Sequence, residues 1–460
     1  MKIKNICCIG AGYVGGPTMA IIAQKNPNIN ITVVDINEKR IAAWNSDNFN
    51  ELPVYEPGMS DVIKEVRGRN LFFSTDIDNA IINSEMIFIS VNTPTKTSGK
   101  GKGAASDLKY IELCANQIAE ISKTDKIVVE KSTVPVRTSE KIRKILNSKN
   151  KGINFQILSN PEFLAEGTAI KDLLKPDRVI IGGDNTKKGE EAIQSLVEIY
   201  LQWVPKNKIL TTNLWSSELS KLTANAFLAQ RISSINSLSE LCEKTGADIK
   251  EVSKAIGMDL RIGSSFLETS VGFGGSCFQK DILNLVYISK SFGLEKVANY
   301  WEQILIINNH QKDRFSKKIH SLINKEALIN NVCILGWAFK KDTNDTRESA
   351  SIYVADYLIK LNINLKIYDP KVTESQIFFD MNYINDEMNK ECITVYNSPL
   401  NCINQTNIIA LITDWDEFKD YDWEKIYKQM NKPAYIFDGR NLLDREKLES
   451  IGFNYIGIGR

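Results

Sequence analysis

Short apolar runs alternate with helical patterns over the first third of the chain. The runs are rich in Ile and Val, as is typical of strands buried on both faces. Six strands are predicted here: Ile3–Ile9, Ile31–Val34, Leu71–Phe73, Met86–Val91, Lys126–Glu130 and Phe155–Ser159. This alternation predicts a parallel sheet that is covered by helices on both faces.

The pattern changes near residue 213 and changes back near residue 328. From Leu214 to about Gly246 the sequence reads as one long amphipathic helix, and further helical pattern follows. A surface loop is predicted at the Asn-rich stretch Asn382–Asn389. Five strands are predicted after residue 328: Val332–Leu335, Leu365–Tyr368, Ile393–Val395, Ile408–Ile412 and Ala434–Phe437.

The predicted fold class is therefore α/β. Two Rossmann-like, doubly wound parallel-sheet domains are joined by a central helical region with one long helix. At 460 residues the chain exceeds the usual size of one core. We place the domain boundaries at residues 1–212, 213–326 and 327–460.

Composition narrows the class of protein. The apolar fraction is 43%, the charged fraction 25% and the formal net charge +1, so nucleic acid and anionic membrane surfaces are not expected as partners. No stretch reaches the ~20 continuous apolar residues of a membrane span. Without a signal-peptide pattern, the eight cysteines are expected to be reduced thiols in a cytoplasmic protein. With only His310 and His320 as histidines and no Cys-x-x-Cys, no metal site is expected.

A glycine-rich turn follows the first predicted strand and opens a helix. Gly10 permits a tight turn, Gly12 lets the backbone approach a pyrophosphate, and Gly15 allows close helix–sheet packing. Asp35 ends the next strand, where an acid binds ribose hydroxyls and repels a 2′-phosphate, which favours NAD. Arg40 nearby leaves NADP open, and a flavin or nucleotide-sugar site on the same fold is the alternative. The candidate cofactor residues of this region are Gly10, Ala11, Gly12, Tyr13, Val14, Gly15, Asp35 and Arg40.

Two later turns also follow predicted strands, at the sheet edge where open α/β sheets bind ligands. Each is equally compatible with ordinary strand-end turn chemistry. Their candidate cofactor residues are Val91, Asn92, Thr93, Pro94 and Thr95 in one turn and Ser132, Thr133 and Val134 in the other.

Three segments combine polar groups at helical spacing. Asn160–Glu166 carries two carboxylates, and Ser217–Asn225 brings Lys221 and Asn225 to one helix face. In Gly272–Asp281, glycines precede a cysteine at an expected helix start, where the helix dipole lowers a thiol pKa. Spacing alone does not distinguish Cys277 as a nucleophile from a buried spectator such as the other seven cysteines.

A basic, hydroxyl-rich segment, Gly336–Ser349, follows the strand Val332–Leu335. Such a turn suits a phosphate or a nucleotide sugar. Tyr368–Pro370 and Phe437–Arg440 end later strands of the same predicted sheet. Each segment alone could be a mixture of surface charges, but their shared position at strand ends favours a second nucleotide site.

Long motifs in these segments closely resemble the UDP-glucose/GDP-mannose dehydrogenase family, and its animal type more than its bacterial type. The resemblance implies an NAD-binding domain, a central helical dimerisation region and a UDP-sugar-binding domain, in a homo-oligomer built from dimers, up to a hexamer. The motifs are Cys7–Pro17, Val91–Thr97, Glu130–Pro135, Asn160–Asp172, Trp215–Asn236, Val271–Asn284 and Phe339–Ser349.

The resemblance also implies roles for individual residues. Cys277 is similar to the family nucleophile, Lys221 and Asn225 to the groups that steady an oxyanion, and Asp281, Glu162 and Thr133 to those that place water and handle protons. Glu166 and Arg347 lie where the family contacts the cofactor. The implied substrate contacts are Glu162, Phe163, Leu164, Ala165, Glu166, Lys221, Asn225, Arg261, Val271, Gly272, Phe273, Gly274, Phe339, Lys340 and Arg440.

The implied reaction is a four-electron oxidation of UDP-glucose to UDP-glucuronate with two NAD+, through a thiohemiacetal and a thioester on Cys277. The alternatives are a UDP-N-acetylhexosamine or GDP-mannose dehydrogenase, or a non-catalytic nucleotide-sugar sensor. One departure is Glu268, which stands where the animal type is expected to have a lysine and would weaken UDP binding if it pointed inward. The other departure is that the sequence ends at Arg460, without the polar tail of the animal type. We therefore expect no regulation that depends on such a tail.

Overall fold

The computed structural model describes residues 2–99, 101–149, 152–385 and 390–460. The chain divides into two compact units. The first comprises Met1–Ala224 and Leu283–Phe292, and the second Asn225–Ile282 and Gly293–Arg460. The boundaries at residues 212 and 326 stay a prediction.

The first unit contains an eight-stranded sheet in the order β3-β2-β1-β4-β5-β6-β7-β8. Neighbouring strands are parallel except β6 and β7, which pair antiparallel. The six predicted strands are present, with ends shifted by two residues or fewer, whereas β7 and β8 were not anticipated from the pattern. The strands are β1 (Asn5–Ile9), β2 (Asn30–Val34), β3 (Leu71–Ser74), β4 (Met86–Ile89), β5 (Lys126–Glu130), β6 (Phe155–Ser159), β7 (Val179–Gly183) and β8 (Ile209–Asn213).

Apolar side chains cover both faces of this sheet. Along β1, Ile6 and Cys8 belong to one core cluster and Cys7 and Ile9 to another, since successive strand residues point to opposite faces. The helices that cover the faces are α1 (Gly15–Lys25), α2 (Glu38–Asn45), α3 (Met59–Val66), α4 (Ile77–Asn83), α5 (Lys109–Ile121), α6 (Thr138–Ser148), α7 (Ala169–Leu174) and α8 (Lys187–Tyr200). Short 3-10 helices lie at Phe49–Glu51 and Lys206–Lys208.

The middle of the chain is helical, as predicted, but it contains two long helices instead of one. α9 (Leu214–Thr245) and α12 (Glu295–Glu326) each have 32 residues. α9 begins directly after β8, where the Asn213 side chain accepts a hydrogen bond from the Ser216 amide and so satisfies a free helix N–H. Two shorter helices lie between them: α10 (Ile249–Gly257) and α11 (Phe278–Ser291).

The second unit contains a six-stranded, fully parallel sheet in the order β11-β10-β9-β12-β13-β14. The strands are β9 (Asn331–Leu335), β10 (Asn364–Tyr368), β11 (Ile393–Val395), β12 (Ile408–Leu411), β13 (Tyr435–Asp438) and β14 (Asn454–Gly457). The helices are α13 (Ala350–Ile359), α14 (Glu374–Ile384), α15 (Pro399–Ile403), α16 (Trp423–Gln429) and α17 (Arg445–Ile451), with 3-10 turns at Lys390–Cys392 and Asp416–Lys419.

The predicted loop Asn382–Asn389 is wrong at its start, because α14 continues to Ile384. Residues 386–389 of that prediction lie outside the described residues. The fold class is otherwise confirmed: both sheets reverse their strand order beside the first strand of the unit, which is the doubly wound arrangement.

Candidate active site

The turn after β1 depends on two glycines without side chains. Gly10 has φ +110°, and a Cβ there would lie 2.1 Å from the Ser90 carbonyl oxygen. A Cβ at Gly15 would lie 2.0 Å from the Gly10 carbonyl oxygen. A Cβ at Gly12, by contrast, would meet no atom of the described residues within 4 Å. The turn is therefore tight where it meets the sheet and open at Gly12, as a pyrophosphate beside the start of α1 requires.

Asp35 follows β2 and joins this turn. One carboxylate oxygen accepts from the Ala11 amide at 3.0 Å and from the Arg40 guanidinium at 3.0 Å, and the other accepts from the Asn37 amide at 2.9 Å. The Arg40 charge is thus directed to Asp35. This arrangement fits the ribose of NAD better than the phosphate of NADP.

The two later turns predicted to reach the cofactor lie side by side. Ser132 donates its hydroxyl to the Val91 carbonyl at 2.9 Å. Thr93 donates to the Thr133 carbonyl at 2.8 Å. Asn92 and Pro94 are exposed, and Thr133 and Thr95 are half-buried. Tyr13 and Val14, at the start of α1, are half-buried as well.

Lys131 is a buried cation that sequence reasoning missed as a site residue. Its Nζ lies 2.8 Å from a Glu162 carboxylate oxygen, 3.0 Å from Asn160 Oδ1 and 3.3 Å from the Tyr200 hydroxyl. Burial opposes the charged ammonium, but the Glu162 carboxylate and the Tyr200 oxygen overcome it, and the pKa of Lys131 stays above its ordinary value. Tyr200 in turn donates to Asn160 at 2.7 Å.

Glu162 is held at both carboxylate oxygens. Oε1 accepts from the backbone amides of Phe163 at 2.8 Å and Leu164 at 3.2 Å. Oε2 receives Lys131 and, at 3.4 Å, the Thr18 hydroxyl. Burial raises the pKa of Glu162, but the Lys131 ion pair and the Phe163 amide outweigh it, so the pKa is lowered and the carboxylate is ionised at neutral pH.

The predicted substrate segment continues from this anchor. The Phe163 ring lies 4.0 Å from the Arg178 guanidinium carbon and 5.2 Å from Lys221 Nζ, and Lys221 is buried on α9. Ala165 is exposed and donates its amide to Asp172 at 3.0 Å. Glu166 is half-buried.

In the second unit, Cys277 lies directly before α11. Its carbonyl accepts the Asp281 amide at 2.9 Å, and its half-exposed thiol lies 3.4 Å from the Ser276 hydroxyl. The thiol therefore lies at the N-terminal end of α11. The helix start predicted from the sequence is thus confirmed.

Asp281 lies in the first turn of α11 and is buried. It accepts from the Asn225 side chain at 2.6 Å, and Lys280 Nζ lies 3.7 Å away. Within this unit, Asn225 is thus hydrogen-bonded to Asp281, which lies one helical turn after Cys277.

The loop Val271–Gly275 is fixed by its neighbours. Val271 donates its amide to the Gly439 carbonyl at 3.1 Å. Asn308, on α12, accepts from the Phe273 amide at 2.8 Å and donates to the Phe273 carbonyl at 3.1 Å. Side chains are excluded at both following glycines. A Cβ at Gly274 would lie 2.4 Å from the Glu348 carbonyl oxygen, and one at Gly275 2.9 Å from the Phe339 ring. Asn308 is a second residue that the sequence did not reveal, because it is 35 positions from its partner.

The three arginines among the predicted ligand-binding residues outside the first unit form ion pairs with acidic side chains of this chain. Arg347 binds Asp345 through two nitrogens, and Arg440 lies 2.8 Å from Asp414. Arg261 is exposed and paired with Asp259 at 2.6 Å. Glu268 is exposed, and Phe339 and Lys340 are half-buried.

The part of the chain that the structure describes has neither a metal-binding cluster nor a membrane-spanning helix. It holds no group of three or more His, Cys, Asp or Glu side chains that could bind a metal ion. Over the same residues, no helix combines the length and apolarity that a bilayer crossing needs.

The order of these sites along the chain matches three family models. Residues 4–204 match the NAD binding domain of the UDP-glucose/GDP-mannose dehydrogenase family, residues 215–310 its central domain and residues 333–445 its UDP binding domain. The chain belongs to this family. It is an NAD-dependent dehydrogenase.

Relatives within the family agree. UDP-glucose 6-dehydrogenase of Bos taurus is 56% identical over 465 residues, which covers 100% of this chain and 94% of that protein. The Drosophila melanogaster enzyme of the same name is also 56% identical, over 99% of this chain and 96% of its own length. A solved UDP-glucose dehydrogenase from Pyrobaculum islandicum is 27% identical, with a TM-score of 0.84 over 99% of this chain and 98% of its own.

Proposed function

We propose that this dehydrogenase oxidises the C6 hydroxymethyl of UDP-glucose to the carboxylate of UDP-glucuronate, through covalent intermediates on Cys277. The observation that carries the proposal is the half-exposed Cys277 thiol before α11, with the Asn225–Asp281 pair in the next turn. UDP-glucose is supported as the sugar by relatives of that name at 56% identity.

The open backbone at Gly12, the start of α1 and Asp35 would hold NAD, and the turns at Val91–Thr95 and Ser132–Val134 would line the rest of its site. When bound, NAD accepts one hydride in each of two oxidations. These residues bind and orient it; Asp35 selects the ribose hydroxyls.

The proposed reaction has four steps: oxidation, addition of the thiol, a second oxidation and hydrolysis. The C6 alcohol loses a hydride and a proton and becomes an aldehyde. The Cys277 sulfur adds to the aldehyde carbon, and the oxygen gains a proton to give a thiohemiacetal. Loss of a second hydride and proton gives a thioester, and water then releases the carboxylate and restores the thiol. The covalent bond retains the aldehyde between the two oxidations.

Charged residues support these steps. The Lys221 ammonium stabilises the developing alkoxide, assisted by Asn225 one helical turn later. Asp281 orients and deprotonates the hydrolytic water. Glu162 is ionised and engaged at both oxygens, so we assign it to holding the Phe163–Leu164 backbone and balancing Lys221.

Two rival functions remain testable. A solved UDP-D-ManNAc dehydrogenase from Pyrococcus horikoshii has the same fold at 26% identity, well below the 56% of the UDP-glucose enzymes, which favours UDP-glucose over an N-acetylhexosamine or GDP-mannose. Against a non-catalytic sensor stands the retained set of Cys277, Lys221 and Asp281.

The test counts NADH formed to completion from limiting UDP-glucose and excess NAD+. Two NADH per sugar are expected, and Cys277→Ala should abolish this yield. Cys242→Ala is the matched control, since Cys242 is a buried cysteine of the same unit and should leave the yield at two. One NADH per sugar would contradict the covalent route. Turnover of another sugar nucleotide in preference would contradict the substrate.

We also propose that the central region forms a homodimer and that the protein acts in the cytoplasm. Exposed apolar residues support the dimer: Phe227 and Leu241 on α9, and Leu260 after α10, which is 99% exposed. Light scattering should give twice the mass of 51.9 kDa or a multiple, such as a hexamer. Eight unpaired thiols suit a reducing compartment.

A further inference from the structure

A buried lysine, Lys131, contacts the predicted substrate segment of the first unit through Glu162. Lys131 follows β5 and is nearly inaccessible, as is its neighbour Asn160. Nothing in the proposed reaction uses this ammonium directly. Burying a charge is costly unless it is paired and hydrogen-bonded, so its retention needs a reason.

The contacts of Lys131 converge on one carboxylate. Its Nζ lies 2.8 Å from Glu162 Oε2, and Asn160 and Tyr200 accept its other hydrogen bonds. Asn160 is fixed in turn, because its amide donates to the Ile180 carbonyl at 2.8 Å. The ammonium therefore has a rigid environment and can impose one position on Glu162.

Glu162 passes that position to the backbone. Its other oxygen accepts the amides of Phe163 and Leu164, and the Phe163 ring lies close to both the Arg178 guanidinium and the Lys221 ammonium. We propose that Lys131 is a positioning residue, whose buried ammonium fixes the Glu162 carboxylate and, through it, the Phe163–Leu164 backbone and the charge balance at Lys221. The part of this inference that concerns turnover rests on the proposed function.

Removal of the ammonium has a defined electrostatic consequence. The charged and titratable groups that face Glu162 are Lys131, Lys221 and, through Lys131, Tyr200. In Lys131→Met, burial is opposed only by the Phe163 amide and Lys221, because the Lys131 ion pair is lost, so the pKa of Glu162 rises. The carboxylate then takes up a proton on mild acidification, and its hold on the two amides weakens.

The first measurement is kcat against pH for the wild type, Lys131→Met and Lys131→Arg. Lys131→Met should lower kcat about 100-fold at neutral pH, since small misplacements in a site cost about that much. It should also shift the acidic limb of the kcat profile to higher pH. Lys131→Arg keeps the charge and should recover part of both. An acidic limb that stays at the wild-type pH would overturn the proposal, whatever the change in kcat.

Lys126→Met is the matched control. Lys126 is as inaccessible as Lys131 and lies on β5, but its ammonium donates to the Ile82 and Ser84 carbonyls and not to Glu162. Its loss should lower Tm and leave the pH profile unchanged. An equal shift in Lys126→Met would mean that the effect comes from any lost buried lysine.

Two further measurements separate this inference from the proposed reaction. The Tm difference between wild type and Lys131→Met should shrink from pH 7 to about pH 5, because an unpaired Glu162 becomes neutral; with Lys126→Met it should stay constant. In the double variant Lys131→Met/Glu162→Gln, kcat should fall no further than in Glu162→Gln alone. If no sugar is turned over, the Tm series still tests the pairing; a constant difference for Lys131→Met would refute it.

Discussion

In each sheet, the first strand of the unit is followed by a similar turn at a glycine. The two turns differ in which backbone and side-chain groups are accessible. Gly10 after β1 and Gly336 after β9 both have positive φ, +110° and +96°, and both donate their amides across the sheet at 2.8 Å, to Val34 and Tyr368. An aspartate follows the neighbouring strand in each unit, Asp35 in the first and Asp369 in the second. The two units thus share a scaffold down to single residues.

The aspartates have different surroundings. Asp35 accepts from one turn amide, from Asn37 and from the Arg40 side chain. Asp369 accepts five hydrogen bonds, from the amides of Trp337, Ala338, Lys371 and Val372 and from the Trp415 indole.

The two turns also differ in accessibility and length. The first turn is open at Gly12 and enters α1 at Gly15, whereas the second has buried Trp337 and Ala338 and reaches α13 only at Ala350. One scaffold therefore presents a short turn that can meet a dinucleotide, and a long loop that carries Phe339 and Lys340.

The largest effect is expected from a methyl group at the shared glycine. Gly10→Ala would set a Cβ 2.1 Å from the Ser90 carbonyl oxygen and should cost roughly 4 kcal/mol of stability and abolish NAD binding. At Gly336 the Cβ would lie 2.4 Å from the Thr413 side chain, so Gly336→Ala should also destabilise. Its folded fraction should bind NAD normally. Urea unfolding measures stability and NADH fluorescence titration measures cofactor binding. Impaired NAD binding in Gly336→Ala would contradict the different roles of the two turns.

The aspartates should separate stability from cofactor affinity. Asp369→Ala leaves the amides of Trp337 and Ala338 and the Trp415 indole without their acceptor, and should cost roughly 3 kcal/mol with an unchanged KM for NAD. Asp35→Ala should mainly raise the KM for NAD and narrow the preference over NADP. Equal losses of stability in both variants would remove the distinction between a structural and a cofactor-binding acid.

Buried lysines extend the contrast, because Lys131 in the first unit is paired and Lys312 in the second is not. Lys312 Nζ has no hydrogen-bond partner among the described residues and lies 3.7 Å from the centre of the Tyr353 ring. Burial lowers the pKa of Lys312 to about 8, against a weaker opposing effect of Glu348.

The unfolded chain therefore binds more protons than the native state between about pH 8 and the ordinary lysine value near 10.4, and stability should rise with pH over that window. Lys312→Met should flatten this rise and add roughly 2 kcal/mol at pH 7. Thermal unfolding from pH 7 to 10.5 tests it, and a lower Tm at pH 7 would show that the Tyr353 contact outweighs the burial cost.

The smallest change in stability is expected at Gly12. A methyl group there meets no described atom within 4 Å, so Gly12→Ala should alter stability by less than about 0.5 kcal/mol. The KM for NAD should nevertheless rise about tenfold or more, because the methyl group would enter the space of the pyrophosphate. Unchanged KM would mean that the open side of the turn does not face the cofactor.

The sequence predicted the parts of the fold in which local pattern and burial agree. β4 is buried along its whole length and reads as a continuous apolar run, and β5 has three consecutive buried apolar residues at its centre, Ile127, Val128 and Val129. β8 and β14 lie at sheet edges with exposed polar residues, so their pattern is weak. α12 carries many Lys and Asn residues, which hid its length.

In the candidate site, the sequence predicted the placement of residues whose surroundings are local along the chain. Cys277 at the start of α11 and Gly10 after β1 follow from glycines and strand ends nearby. Lys131 and Asn308 could not be found in that way, because their partners Glu162 and Phe273 are 31 and 35 positions away. Sequence spacing carries no signal at that separation.

The ion pair of Lys131 and Glu162 also constrains how the chain can change over generations. A neutral residue at either position leaves the other as a lone charge in the interior, which is worse than losing both. Each substitution would then be harmful alone and nearly harmless with its partner already changed. In evolutionary terms the two codons form an epistatic pair, expected to persist together or be replaced together across descendants of this gene.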